Sequence, residues 1–587
     1  MKIDPTELAD WQIAELAEKE INSIEHIAHK LCLHEDEIIP KGKYVAKVDY
    51  CKVWQRIKNK SNGKYIDVTA ITPTPLGEGK TTTTLGLVEG LAKIGKRSVG
   101  TIRQPSGGPT FNIKGSAAGG GLSQCIPLAP FTLGLTGDID AITNAHNLCM
   151  VALTARMQHE NNYDDERLDK IGLKRLNIDP KRIQIKWAID FCAQALRNIT
   201  IGQGGKMDGF EMNSGFQISV SSELMAILSI ANDLEDMKSR ISKMIVAYNK
   251  SGEEITTKDL EVDGAMTAIM KESFNPNLIQ TIEGNPVLVH AGPFANIAIG
   301  QSSVIADKIG IKLSDYLVTE SGFGADIGYE KFWNLKCRYS ELKPDAVVIV
   351  STVRALKMHG GGPEVKPGKK LDKAYTEENL DLLRKGCDNL IAHIKTVLKS
   401  GSNPVVCINS FHTDTEDEHS LIKEIARNQG ARCEVSYHWL KGGEGAINLA
   451  KAVVDAANEK NNFSYLYDHK LPIKERVETI AHEIYNANKV DWSSQALRKV
   501  NELEKNCDYK DMSICMVKTH LSTTHDPTIK GAITGWTLPI RDILIYKGAG
   551  FIVPVSGDVK LMPGTGSNPG FRKIDVDTQT GKITGLF

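Results

Sequence analysis

A lysine followed by a run of threonines, Lys80-Thr81-Thr82-Thr83-Thr84, closes a loop that contains Gly77 and Gly79, and residues of these types can hold a phosphate together. The loop Thr74-Pro75-Leu76-Gly77-Glu78-Gly79 follows a β-branched and apolar run, Tyr65 to Thr72. It leads into a segment with Leu85, Leu87, Val88 and Leu91 at helical spacing. A strand, a Gly-rich turn and Lys-Thr at a helix start form the context of a phosphate-binding P-loop. In that reading the backbone N–H groups of Gly77, Glu78 and Gly79 face an anion. Lys80 reaches the outer phosphates and the Thr81 hydroxyl sits on Mg²⁺. Thr74 occupies the place of the first Gly in G-x-x-x-x-G-K-[ST]. Thr74 through Thr81, with Pro75 and Leu76 among them, are the expected nucleotide-binding residues, MgATP the expected ligand and Thr81 the expected metal contact.

The elements around this loop read as an α/β protein with a P-loop NTPase-like parallel sheet. Strand-like segments are expected at Arg97–Ile102, Pro286–His290, Tyr316–Thr319, Ala346–Ser351, Pro404–Asn409 and Cys433–Val435. They are short, β-rich and separated by helical pattern, which is the signature of βαβ units. The stretch 151–280 is charged and helical in pattern, and residues from 456 onward read as α+β. The expected division is therefore a core in two parts, 1–150 and 281–455, a mainly helical insertion at 151–280, and a C-terminal α+β domain at 456–587. Ligands of open α/β sheets sit at the carboxyl ends of the strands. The loops expected there are Thr74–Thr81, Arg103–Pro109, Ala291–Asn296, Glu320–Asp326, Arg354–Gly362 and Asn409–Asp414. Several polar, Gly-rich loops on one edge point to more than one substrate bound together.

Whole-chain properties exclude other classes. The chain has 587 residues, more than one core can use. Lys+Arg 71 against Asp+Glu 72 gives a net charge of -1, which offers no electrostatic case for nucleic acid or an anionic membrane. The 11 cysteines are scattered without C-x-x-C spacing, as in a reducing compartment. The first residues, MKIDPTELADWQ, have no apolar run of a signal segment, and no stretch has the length of a bilayer span. A cytoplasmic enzyme acting on small molecules is expected.

The sequence closely resembles the formate–tetrahydrofolate ligases. The matching stretches are Thr72–Thr82, Lys114–Gly121, Thr136-Gly137-Asp138, Gly292-Pro293-Phe294-Ala295-Asn296, Gly322–Asp326, Arg354–Gly361, His438-Trp439 with Gly442-Gly443, Lys518-Thr519-His520 and Gly585-Leu586-Phe587. The family's own loop carries Thr at the position of Thr74. No dehydrogenase/cyclohydrolase module precedes the loop, as in the monofunctional form. The resemblance implies ATP-dependent formylation of tetrahydrofolate at N10 through formyl phosphate. It implies Arg103, beside Lys80, as the arginine that holds formyl phosphate, and Phe411 and Trp439 as the pair between which folate stacks. It further implies a homotetramer stimulated by monovalent cations.

Other residues keep more than one reading. Asp138 contacts the pterin, holds a Mg²⁺-bound water or caps a helix, and Glu320 competes for the metal role. Lys357 and His359 bind the folate tail or belong to a solvated loop. Asn409 and Asp414 form a base-reading loop or an Asx-turn. The sequence also departs from the family pattern. Gln104 and Gly107 replace Glu and Leu in Arg-Glu-Pro-Ser-Leu-Gly-Pro, and Asn112 and Ser116 each replace Gly. Gly134 and Ile299 each stand for a His, and Thr565-Gly566 stand for Leu-Pro. These departures leave two alternatives open: a paralogue activating another small carboxylate, and a nucleotide-binding regulatory protein without turnover.

Overall fold

The computed structural model describes residues 3–114, 117–294, 299–365, 370–557 and 560–586. Gly115, Ser116, Ala295, Asn296, residues 366–369 and Phe587 lie outside the described residues.

Among the described residues, seven parallel strands make the centre of the molecule. They are β1 (Lys64–Ala70), β2 (Ser98–Ile102), β3 (Pro286–Val289), β4 (Tyr316–Glu320), β5 (Ala346–Ser351), β6 (Asn403–Asn409) and β7 (Arg432–Ser436). Their order across the sheet is β3-β2-β4-β1-β5-β6-β7, so the strand that feeds the Gly-rich loop lies in the middle. Beyond β3 the sheet continues antiparallel through Asn277–Thr281, Ala46–Val48 and Ile38–Pro40.

The sequence of β1 explains its central place. Ile66, Val68 and Ala70 point to one face, where they pack with Leu87, Val88 and Leu91 of α1 (Lys80–Lys93). Tyr65 serves the opposite face, in the cluster that holds Leu390, Ile394 and Val397 of a helix at Leu380–Lys399, and the alternate positions Asp67 and Thr69 are buried there as polar side chains. A strand buried on both faces is stable only between two helical layers. Each buried Val, Leu or Ile side chain contributes about 1.5–3 kcal/mol to that sandwich.

The helices on the first face fit through missing side chains. Gly86 and Gly90 lie four residues apart on one side of α1, against His438 and Ala446. A Cβ on Gly86 would stand 2.5 Å from the His438 Cβ, and one on Gly90 2.8 Å from the Ala446 Cβ. Only glycines let the helix His438–Gly445 approach so closely, and this contact brings Trp439 up to the carboxyl edge of the sheet.

The stretch 151–280 differs from the helical expectation. It holds helices, among them Glu223–Ile230, Leu234–Ser242 and Asp263–Met270, but also short strands such as Ile178–Ile183, Ile199–Ile201, Met212–Ser214 and Ile245–Asn249. The three-residue strands are too brief to display a period of two, Ile178–Ile183 is interrupted by Pro180, and Ile245–Asn249 does not alternate, so the helices dominate the pattern. Residues after 456 combine the helices Ile473–Glu483 and Ser494–Leu503 with strands at Ala487–Trp492, Trp536–Ile540, Asp542–Tyr546 and Phe551–Val555. Among the described residues, no helix is long and apolar enough to cross a membrane.

Candidate active site

The turn after β1 is built by backbone geometry that glycine allows. Gly77 has φ +74° and Gly79, the N-cap of α1, has φ +77°. Both lie in the left-handed region, which costs other residues steric strain. Glu78 folds back into the loop it belongs to. Its Oε1 accepts the Thr74 N–H at 2.7 Å and the Thr74 hydroxyl at 3.2 Å. Thr74, in the place of a glycine, is thus one end of a side-chain brace across the turn. Burial raises the Glu78 carboxyl above its ordinary value, opposed by Lys80, whose Nζ stands 4.0 Å from Oε2. Burial also lowers the Lys80 ammonium, against the pull of Glu78 and Glu320. A lysine made less comfortable as a cation by desolvation gains most when an anion arrives beside it.

The structure brings the expected loops together. Glu320, at the end of β4, accepts the Thr81 hydroxyl on Oε2 at 2.7 Å and faces Arg103 Nε from Oε1 at 3.7 Å. One carboxylate therefore joins the threonine of the Gly-rich loop to the arginine that follows β2. The Arg103 guanidinium lies over Gly322, where a Cβ would meet its amino groups at 3.2 and 3.3 Å. Its Nε is buried and has no hydrogen-bond partner among the described residues. A half-buried cation with an unused buried donor suits an anion, and a planar guanidinium suits phosphate or carboxylate. Beneath this group the Ser321 hydroxyl lies within hydrogen-bond distance of both Asp67 carboxylate oxygens, and burial pushes Asp67 up to about 8.

The loop after β6 closes the turn from the other side. Asn409 Nδ2 donates to the Glu78 carbonyl at 3.1 Å, in the space a side chain on Gly79 would fill. Asp414 accepts the Phe411 N–H at 2.9 Å, a bond back to a residue three positions earlier rather than an Asx-turn, while Asn409 braces the Gly-rich loop. Phe411 and Trp439 are both half-buried, which suits platforms better than core residues. Arg354 stacks on Phe411, its guanidinium carbon 4.0 Å from the ring centre, and donates to Thr413. The Trp439 indole lies over Gly121, where a Cβ would stand 2.7 Å from Cδ1. Phe323, at φ +64° between two glycines, stacks on His520 at 4.3 Å. Lys518 donates to Asp326 at 3.0 Å, so the segment Lys518–His520 is fastened to the loop after β4.

Three residues fall elsewhere than expected. Asp138 is buried at the start of a long helix, Asp138–Asn162. Its Oδ1 takes Lys47 Nζ at 2.7 Å and its Oδ2 takes Asn277 Nδ2 at 2.7 Å, so both oxygens are engaged within the protein. Lys357 is buried against Glu418 at 2.6 Å, and His359 lies 2.8 Å from the Thr72 carbonyl; neither reaches solvent or an open site. Sequence reasoning missed Lys47 and Arg354. A lysine in a buried strand was a signal for the first. For the second, the signal was its place as the first residue of Arg354–Gly362, one of the loops expected at the carboxyl ends of the strands.

The departures from the family pattern are placed as well. Gln104 Nε2 donates to the Gly134 carbonyl at 3.4 Å, so two of them touch. Ile299 is fully buried in the main apolar cluster. Asn112 and the Thr565-Gly566 pair also meet, through Asn112 Oδ1 and the Gly566 N–H at 3.0 Å.

A parallel sheet edge that gathers a lysine, an arginine and a carboxylate around a Gly-rich turn belongs among the α/β enzymes that handle phosphate. Comparison with known proteins narrows that class. The family model described as formate--tetrahydrofolate ligase matches residues 8–587. A formate--tetrahydrofolate ligase of Dehalococcoides mccartyi (strain ATCC BAA-2266 / KCTC 15142 / 195) is 64% identical over 585 residues, covering 100% of this chain and 98% of that protein. One of Lawsonia intracellularis is 61% identical over 591 residues, and one of Desulforapulum autotrophicum 58% over 591 residues, each covering 100% of both chains. The chain belongs to the formate–tetrahydrofolate ligase family.

Proposed function

We propose that this protein joins formate to N10 of tetrahydrofolate at the expense of ATP. Formate attacks the γ-phosphate to give formyl phosphate and ADP; N10 then attacks the formyl carbon and phosphate leaves. The observation that carries the reading is the Thr81–Glu320–Arg103 linkage beside Lys80, which puts the groups for both steps on one sheet edge. Phosphoryl transfer depends on positioning and charge neutralisation. In this reading the fold is P-loop NTPase-like, and Thr74 through Thr81 wrap the triphosphate. Lys80 neutralises its outer oxygens, and Arg103 holds the formyl phosphate. Mg²⁺, which the Thr81 hydroxyl and Glu320 suit as oxygen donors, supplies further neutralisation when bound. Phe411 and Trp439 hold the flat pterin by stacking, and Arg354 backs Phe411. Asp138, engaged by Lys47 and Asn277, is left out of the substrate contacts.

Formyl phosphate hydrolyses readily, so the site must exclude water. The segment Lys518–His520, stacked over Phe323, is well placed for that task. The proposal extends to a chain that divides at 150, 280 and 455, works in the cytoplasm as a homotetramer and responds to monovalent cations. Light scattering and assays with and without potassium test the last two points. The deciding experiment mixes protein, MgATP, formate and tetrahydrofolate, then acidifies and looks for the methenyl chromophore. Formate-dependent colour is expected; its absence with active folate overturns the reading. A panel of short acids, read by ADP release, tests a paralogue that prefers another carboxylate.

A further inference from the structure

Arg103 is the first residue after β2, and the chain beyond it must be held if its guanidinium is to keep one place. Residues 103–112 are held by two segments far away in sequence. The first hold is Asp190. The Ser106 hydroxyl donates to its Oδ1 at 2.7 Å and the Gly107 N–H donates to its Oδ2 at 2.6 Å. Both oxygens of one carboxylate thus take donors from the Arg103 loop. The loop lies directly against the segment that carries Asp190. A Cβ on Gly107 would stand 3.1 Å from the Asp190 carbonyl, and one on Gly108 3.2 Å from the Cys192 nitrogen.

The second hold is a clip. Asn112 Nδ2 donates to the Gly564 carbonyl at 2.9 Å, and its Oδ1 accepts the Gly566 N–H at 3.0 Å. The loop containing Gly564 is itself tied to the Asp190 segment. The Thr565 hydroxyl donates to the Cys192 carbonyl at 2.6 Å, the Thr565 N–H to Gln194 Oε1 at 2.9 Å, and Arg197 Nε to the Met562 carbonyl at 2.9 Å. Residues 103–112, 190–197 and 562–566 therefore close a circuit. The clip needs an amide side chain at 112 and an N–H at 566. Glycine and proline, the residues of the family pattern at these positions, provide neither.

We propose that Asp190 is a positioning residue for Arg103, with the Asn112 clip as its support, and that together they set how well this enzyme holds its small acid without touching it. The proposal rests on the reading of Arg103 as the residue that holds formyl phosphate. The circuit does not include the Gly-rich loop or the aromatic pair, so its effect is confined to the formate half of the reaction.

The test is steady-state kinetics on the full-length protein, with the KM of each substrate measured separately, a direct measurement of MgATP affinity and a melting temperature. Asp190→Asn replaces two charge-assisted acceptors by one neutral acceptor, with Ser106 reversed to accept from the amide, and is expected to raise the formate KM about five- to twentyfold. The KM values for ATP and tetrahydrofolate are expected to stay within about twofold, since their contacts lie on other loops. Asn112→Gly is expected to raise the formate KM about threefold, the value of one neutral hydrogen-bonded brace. The pH profile is a readout that a merely structural role would not move. Burial, with Asp140 on the helix Asp138–Asn162 adding to it, pushes Asp190 up to about 6, and the neighbouring Cys192 thiol is pushed up and stays neutral. In the parent protein the formate KM should rise as pH falls through about 6, because a protonated carboxyl loses an acceptor. In Asp190→Asn that step should be absent.

A surviving step, or an equal rise in all three KM values, overturns the proposal. Arg103→Lys separates the two readings. If it leaves the formate KM unchanged, the role of Arg103 has failed. If it raises that KM while Asp190→Asn does not, only the positioning role has failed.

Discussion

The placement of Trp439 makes a sharp prediction at a residue that touches no substrate. Replacing Gly86 by alanine adds one carbon to the buried side of α1, 2.5 Å from the Cβ, 2.8 Å from the Cγ and 3.0 Å from the Cδ2 of His438. Carbon atoms in contact keep about 3.5–4.0 Å, so about 1 Å of overlap must be relieved. His438 cannot swing aside. It is fully buried, with Nδ1 2.8 Å from the Ser436 hydroxyl and Nε2 3.2 Å from that of Thr83. The helix His438–Gly445 must shift instead, and Trp439 moves with it. Overpacking of this kind costs about 1–3 kcal/mol, and the better helix propensity of alanine offsets about 1 kcal/mol of it. The expected net loss is therefore about 2 kcal/mol or less in urea unfolding. A displacement of about 1 Å at a binding platform is worth a tenfold or larger change. The tetrahydrofolate KM should therefore rise about tenfold or more, while MgATP affinity changes little. Gly264→Ala, at a helical position where a Cβ meets nothing within 4 Å, is the control and should leave both unchanged. If Gly86→Ala loses stability but keeps its folate KM, the helix contact does not position Trp439 and the reasoning fails.

Three further outcomes are expected. Lys80→Ala should lower turnover by about 10²–10³-fold or more with little change in the urea midpoint, because burial already opposes the ammonium; a large loss of stability would mark Lys80 as structural. Trp439→Ala should raise the folate KM about tenfold with MgATP affinity retained, and equal losses in both would identify the indole as core. The third concerns acid stability. Burial holds His290, His359, His393 and His438 at about 4, below an ordinary value of 6.5. Their neutral forms are favoured by the fold, so their contribution is complete above about 6.5 and is lost as pH falls toward 4, by up to about 3 kcal/mol each. The urea midpoint should fall steeply over that interval and less steeply in His393→Gln; identical slopes would exclude His393 from the effect.

What could be read without coordinates was local. The turn Thr74–Thr81, its two glycines at positive φ and the lysine at the helix start depend on a few consecutive residues, and the strands expected at 286–290, 316–319, 346–351, 404–409 and 433–435 all appear in the sheet. Their patterns survive because strands buried on both faces are mostly apolar and β-branched. Tertiary structure alone decided which polar groups meet. Glu320 joins Thr81 from 239 positions away, and Asn112 meets Gly566 across 454. A lone carboxylate or amide carries no periodicity that would announce its partner. The same reason explains Asp138, whose motif is intact while its oxygens belong to Lys47 and Asn277. Spacing along a chain determines backbone conformation within an element; the neighbours of a buried charge are set by how elements far apart are stacked, because only the folded sheet brings their ends to one edge.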